Sequence, residues 1–234
     1  MASDDSRWEN VTFKIIDESL DARVIDFIFH HFHPDEPICR SLHINRDDLF
    51  EEGDLKETLK DRCSLVALDR YGQILAVRLG RVARKSDWTS LFIMILFYIA
   101  IKYCCCCCLG QETRYKFKVS FKLVEKLDYD TYKFFSKYKC TTIYEDRGLC
   151  SARSHRMRGL GTELVKRAED LSRQRGCTHA CALATGKYSI RVYEKLGYTA
   201  LNRLAYNDFR DKNGELYLKD TREHTEAIAF IKEY

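Results

Sequence analysis

The spacing of apolar residues changes period several times along the chain, and each change predicts an element. Residues 11–16 (V-T-F-K-I-I) alternate as a strand does. Leu20, Val24, Phe27 and Ile28 then recur at helical spacing, which predicts a helix over 20–32. Pro34 ends it. Pro37 holds Glu36 extended, because a proline pushes the residue before it out of the α region. A charge-rich helix is expected over 47–60, then a hairpin of 64–69 and 74–82 about Arg70-Tyr71-Gly72-Gln73. Residues 128–138 place Tyr129, Tyr132 and Phe135 on one side of a helix, and 142–152 reads as a strand. Leu160, Leu164, Val165, Ala168 and Leu171 then mark a helix over 160–174, closed by Gly176. An apolar strand at 178–184 and a short helix at 189–196 follow, the latter closed by Gly197. Strands at 199–206 and 215–219 are expected to pair across Asn213-Gly214, with a last helix from Thr221 onward. The order β-α-α-β-β-α-β-α-β-α-β-β predicts a chain of the α/β class, a mixed sheet with helices on both faces.

One segment breaks this order. Residues 91–101 are a continuous apolar run, followed by five consecutive cysteines at 104–108. The run is short of the ~20 apolar residues that a membrane span needs. A span here would also put two parts of one sheet on opposite sides of a bilayer, so none is expected. A buried or partly exposed helix and a translated non-coding insert are both compatible with it.

Composition narrows the function classes. The 39 Lys+Arg against 35 Asp+Glu give a net charge of +4, without the one-sided basic excess of a nucleic-acid footprint. No nucleic-acid partner is expected. With 2 Pro, 11 Gly and no low-complexity linker, the 234 residues read as one domain. The polar, acidic start M-A-S-D-D-S-R-W is no signal peptide, so a cytoplasmic protein is expected, with its 11 Cys reduced. His30, His31 and His33 lie close in sequence, but neighbours on a helix face different ways, and no metal site is expected.

The densest chemistry lies at R-S-H-R-M-R-G-L-G-T, residues 153–162, between a strand and a helix. Glycines let backbone approach a phosphate, and the unpaired N–H groups of the helix's first turn point at it with the positive end of the dipole. The stretch has no G-K-[ST] and no G-x-G-x-x-G, so it is neither a P-loop nor a dinucleotide fingerprint.

The run Arg156-Met157-Arg158-Gly159-Leu160-Gly161 resembles the [R/Q]-x-x-G-x-[G/A] loop of the GCN5-related N-acetyltransferase (GNAT) superfamily. With F-H-P-D-E-P-I (32–38), S-L-V-A-L-D (64–69), G-L-C-S-A-R (148–153) and Y-S-I-R-V-Y-E-K-L-G-Y (188–198), the chain is similar to the arthropod arylalkylamine (dopamine) N-acetyltransferases over all but about 88–118. The resemblance implies a GNAT fold: a mixed, mostly antiparallel sheet of about seven strands, with acetyl-CoA in the splay between the strands at 142–152 and 178–184. It implies acetyl transfer to an amine of the dopamine, serotonin or tryptamine type, by direct attack in a ternary complex and in a monomer. Leu149, Cys150 and Ser151 would hold the pantetheine, and Arg156, Met157, Arg158, Gly159, Leu160, Gly161 and Thr162 the pyrophosphate. Glu36 would be the base. Thr185 and Ser189 are the hydroxyl pair of a proton relay to the thiolate, and Tyr193 stands where the wider superfamily keeps an acid; both routes are open. Met157 stands where glycine is frequent, and Cys150 and Ser151 replace a small-apolar-plus-Val pair. His224 matches a structural or pocket-lining histidine, and Phe29, Phe32 and Tyr188 are candidate pocket aromatics. Two other readings stay open: a relative acting on polyamines or using longer acyl-CoAs, and a non-catalytic acyl-CoA-binding relative disabled by the insert.

Overall fold

Alternation along the strands sorts the core onto two faces of one sheet. In the computed structural model, which describes residues 5–48, 51–87 and 110–234, the strands are β1 (Val11–Ile15), β2 (Leu65–Asp69), β3 (Ile74–Arg84), β4 (Thr142–Ser151), β5 (His179–Ala184), β6 (Thr199–Ala205) and β7 (Glu226–Glu233). They run in the order β1-β2-β3-β4-β5-β7-β6, and every ladder except β4–β5 is antiparallel. The helices are α1 (Glu18–His31), α2 (Pro37–Ser41), α3 (Glu51–Lys60), α4 (Gln111–Lys126), α5 (Thr131–Lys137), α6 (Leu160–Gln174) and α7 (Lys187–Lys195). Leu65 and Ala67 of β2 face Leu160, Leu164, Val165 and Ala168 of α6. Their neighbours Val66 and Leu68 face Leu20, Val24 and Ile28 of α1 and Leu55 and Leu59 of α3. The apolar run at 91–101 and the cysteines at 104–108 lie outside the described residues, in which no helix is long and apolar enough to cross a membrane. All six cysteines of the described residues are free.

Two features of the sheet make the site. The parallel β4–β5 ladder is short, from Ile143↔His179 to Glu145↔Cys181. Beyond Glu145, β4 stays paired with β3 as far as Ser151, so β4 and β5 part and a wedge opens at their C-terminal ends. The β3–β4 register also shifts, from Leu79↔Gly148 to Gly80↔Asp146, which leaves Arg147 as an extra residue in β4. Such a bulge bends the strand and strengthens its twist. The Asp146 carboxylate spans it, accepting from Gly148 N at 2.9 Å.

The C-terminal region differs from the sequence-based expectation. Residues 215–219 form no strand with 199–206; only an isolated bridge, Arg210↔Leu216, joins the two arms of that turn. Asp211 accepts from Asn213 N and Glu215 N and closes the turn locally. Residues from Thr221 onward do not form a helix: β7 inserts between β5 and β6. Its residues Ala227, Ile228, Ala229, Phe230 and Ile231 are all buried. A strand covered on both faces reads as an unbroken apolar run, and periodicity does not separate it from a helix. Helix α4 went unpredicted because a lysine sits on its buried face: Lys116 lies with Val119 and Leu123, its ammonium 2.9 Å from Asp48.

Candidate active site

The wedge opens into a cleft of about 1170 Å³, whose lining includes Leu149, Cys150 and Ser151, Arg156, Met157, Gly159, Leu160, Gly161 and Thr162, together with Glu36, Thr185 and Ser189. Past Glu145 the β4 edge has lost β5, so a ligand with amide groups can add there as a strand would. The loop after β4 turns through Arg153–His155 and then through two left-handed residues, Met157 (φ 60) and Gly159 (φ 85), before α6 begins. Gly159 is the N-cap of α6 and offers no side chain, so the first-turn N–H groups stay open to the cleft. Together these features fit a pyrophosphate.

The loop arginines divide their work. Arg156 Nη1 lies 2.8 Å from Asp35 Oδ2, its Nη2 donates to the His31 carbonyl at 2.8 Å and its Nε to the Ser151 carbonyl at 3.3 Å. Arg153 and Arg222 reach the same Asp35 carboxylate, at 2.9 and 3.0 Å. Burial alone would raise the Asp35 pKa, but the hydrogen bonds from Arg153 and Arg156 outweigh it and bring the carboxyl down to about 2. Held by three guanidinium groups, Asp35 is a poor proton acceptor. Nothing in its sequence context marks it as the tie between the two sides of the cleft. Arg158 is not among the residues that line the cleft; its carbonyl accepts from Arg7 Nη2 at 2.6 Å.

Glu36, one residue on, lies at the cleft in a different setting. It is extended (φ −72, ψ 127) before Pro37, as the sequence requires, and it N-caps α2. Its Oε2 accepts from Cys39 N at 2.6 Å, whereas Oε1 is buried and has no hydrogen-bond partner among the described residues. The residue is 8% exposed and lines the cleft. The same carboxylate bears on Tyr206, whose pKa is raised first by burial and then by the Glu36 charge; the Tyr206 hydroxyl donates to the Thr185 carbonyl. Tyr206 thus joins the Glu36 side of the cleft to the Thr185 side.

Ser189 sits in the first turn of α7, its hydroxyl donating to the Gly186 carbonyl at 2.8 Å. His224 accepts from Lys187 N at 3.1 Å and meets Tyr188 edge-on, so it braces the start of that helix. Tyr193 goes elsewhere. It is 1% exposed, does not line the cleft, and its hydroxyl accepts from Arg78 Nη1 at 2.9 Å. The structure therefore brings Thr185 and Ser189 together with Glu36 and leaves Tyr193 outside. Cys150 is 5% exposed, and burial pushes its thiol up to about 12, far from a thiolate at neutral pH. His31 and Phe32 line the cleft beside Tyr188, whereas Phe29 packs against His33. Burial, then the nearby His30, Arg153 and Arg156, lower the His31 pKa against the opposing charge of Asp35. No group of three or more His, Cys, Asp or Glu with metal-binding geometry occurs among the described residues.

Comparison with known proteins bears on the same wedge. The Acetyltransferase (GNAT) family model matches residues 126–198, from the end of α4 to the end of α7. Arylalkylamine N-acetyltransferase 2 from Aedes aegypti superposes with a TM-score of 0.80 at 25% identity, covering 96% of this chain and 99% of that one. The polyamine N-acetyltransferase of Drosophila melanogaster superposes at 0.72 with 18% identity over 96% and 100% of the two chains. A putative acetyltransferase from Salmonella typhimurium, solved with its cofactor acetyl-CoA, gives 0.50 at 12% identity over 96% and 94%. The chain thus carries a GNAT family match over residues 126–198 within a fold shared with N-acetyltransferases, an insect arylalkylamine N-acetyltransferase among its structural relatives.

Proposed function

We propose that the protein transfers the acetyl group of acetyl-CoA to the primary amine of a small arylalkylamine, by direct attack in a ternary complex. The observation that carries this reading is the buried, unpartnered Oε1 of Glu36 in the cleft that also holds the phosphate loop. An alkylamine with a pKa near 10 is about one part in a thousand free base at pH 7, a handicap of ~4 kcal/mol. Glu36 Oε1 attracts the ammonium and takes its proton. The bound acetyl-CoA supplies an activated thioester. Residues 149–151 hold its pantetheine along the open β4 edge, and the loop 156–162 holds its pyrophosphate. The amine nitrogen bonds the acetyl carbon as the bond from that carbon to sulfur breaks, and the proton that the nitrogen then sheds passes through the hydroxyls of Ser189 and Thr185 to the departing thiolate. Cys150, buried as a thiol, takes no part as a nucleophile. His31, Phe32 and Tyr188 give the acceptor end aromatic rings that suit an aryl group. The reading carries with it a cytosolic, monomeric, single-domain protein.

A second reading, a polyamine acceptor, draws on Glu223, a further carboxylate at the cleft, which accepts from the Tyr188 hydroxyl at 3.2 Å. It would suit a substrate with two cations.

The pH–rate profile of Glu36→Ala tests the base. Its acetyl-CoA affinity is expected to stay that of the wild type, with turnover down about a hundredfold at pH 7 and recovering toward pH 10, where the amine is already free. Unchanged turnover at pH 7 removes Glu36 from the mechanism.

A further inference from the structure

The N-terminal turn Asp5–Trp8 lies against the phosphate loop, although nothing in the loop motif asks for it. Arg7 is exposed and lines the same cleft as Gly159 to Thr162. Its Nη2 donates to the Arg158 carbonyl at 2.6 Å, which occupies one of the five N–H donors of the guanidinium. A Cβ added at Gly159 would stand 2.8 Å from Arg7 Nη2 and 3.2 Å from its Cζ. Gly159 therefore serves twice: it takes φ +85, and it leaves room for Arg7 at the loop.

The guanidinium is held in place. Its Cζ lies 5.0 Å from the Trp8 ring centroid, and Trp8 meets Phe13 of β1 edge-on at 5.6 Å. Arg167 of α6 covers Phe13 at 4.3 Å and is itself fixed by Glu163 at 2.9 Å. This stack of cations and rings ties the terminal turn to β1 and to α6. The loop's own Arg156 is engaged by Asp35 and the His31 carbonyl, and Asp35 is taken up by three arginines. Among the described residues no carboxylate pairs with Arg7.

We infer that Arg7 is a ligand of the pyrophosphate of the CoA donor, supplied from the N-terminal turn. The inference rests on the acetyl-CoA reading above. A planar guanidinium beside open helix N–H groups makes charge-assisted hydrogen bonds to a diphosphate, and a pre-positioned side chain loses little freedom in doing so.

The test is calorimetric titration of the full chain with CoA and with 3′-dephospho-CoA, for the wild type, Arg7→Ala and Arg7→Lys, after thermal unfolding shows that all three are folded. Arg7→Ala is expected to bind both ligands about tenfold more weakly, with Arg7→Lys between it and the wild type. Equal affinity of Arg7→Ala and wild type for CoA overturns the inference and leaves the donor reading intact. A loss seen with CoA but not with 3′-dephospho-CoA also overturns it, because Arg7 would then serve the 3′-phosphate. A wild type that binds no CoA overturns both.

Discussion

Arg78 Nη1 lies 2.6 Å from Asp146 Oδ2 inside the sheet, with side-chain exposures of 1% and 6%. Arg78 comes from β3 and Asp146 from the bulge of β4, and the same guanidinium group donates to Tyr193 of α7. One ion pair thus fixes the bulge that opens the wedge and the helix that carries Ser189. Removing one partner of a buried pair leaves an uncompensated charge. Asp146→Ala is expected to lose about 3–5 kcal/mol of unfolding free energy in urea. Tyr193→Phe is expected to cost about 1–2 kcal/mol, by depriving Arg78 of an acceptor, and to keep turnover within a few fold of the wild type. A hundredfold fall in kcat with the fold intact would make Tyr193 the acid.

Glu36 has two duties, and two substitutions separate them. Oε2 caps α2, and Oε1 is buried without a hydrogen-bond partner among the described residues, in a side chain at the cleft. Glu36→Gln keeps an oxygen for Cys39 N, so its Tm is expected to stay near that of the wild type while turnover falls. Glu36→Ala loses the cap as well, at about 1 kcal/mol. A Gln variant with wild-type turnover would show the residue to be only a cap.

Asp35 makes stability depend on acid pH. Its carboxyl is depressed to about 2 from 3.8, so the charged form stabilises the fold. That contribution is complete above about pH 4 and is lost as the pH falls through 2. A side chain 15% exposed keeps most of it, about 2 kcal/mol. Asp35→Asn is expected to unfold at lower urea at pH 7 and to show a flatter stability curve between pH 4 and 2. Parallel curves for variant and wild type would contradict this.

Met157 is the loop's strained residue. It holds φ 60 and is 80% exposed, so its side chain gains little from packing. A left-handed non-glycine residue costs about 1–2 kcal/mol. Met157→Gly is expected to raise Tm slightly or leave it unchanged, because relief of strain opposes the added entropy of the unfolded chain. A fall of several degrees would mean that Met157 makes contacts worth more than the strain.

Much of the site could be read from residue types whose roles are local. Glycines at 159 and 161, the proline after Glu36 and the period of α6 each act on their immediate neighbours, and the structure keeps each as read. The longer-range arrangements could not be read that way. Strand β7 pairs between β5 and β6 although it comes last, and the loop arginines turn to Asp35, 118 and 121 residues away. Arg7 reaches Arg158 across 151 residues from a terminus that reads only as polar. Such pairs leave no periodic trace in one sequence. Tyr193 shows the converse: a motif position can be right for the family while the side chain is committed to Arg78.

The most direct measurement is thiol release from acetyl-CoA by the purified full chain, with tryptamine, dopamine or putrescine as acceptor at pH 7 to 8. The expected result is saturable, amine-dependent release with kcat/KM highest for an arylalkylamine. Release no faster than in the absence of amine, or a clear preference for putrescine, would contradict the assignment.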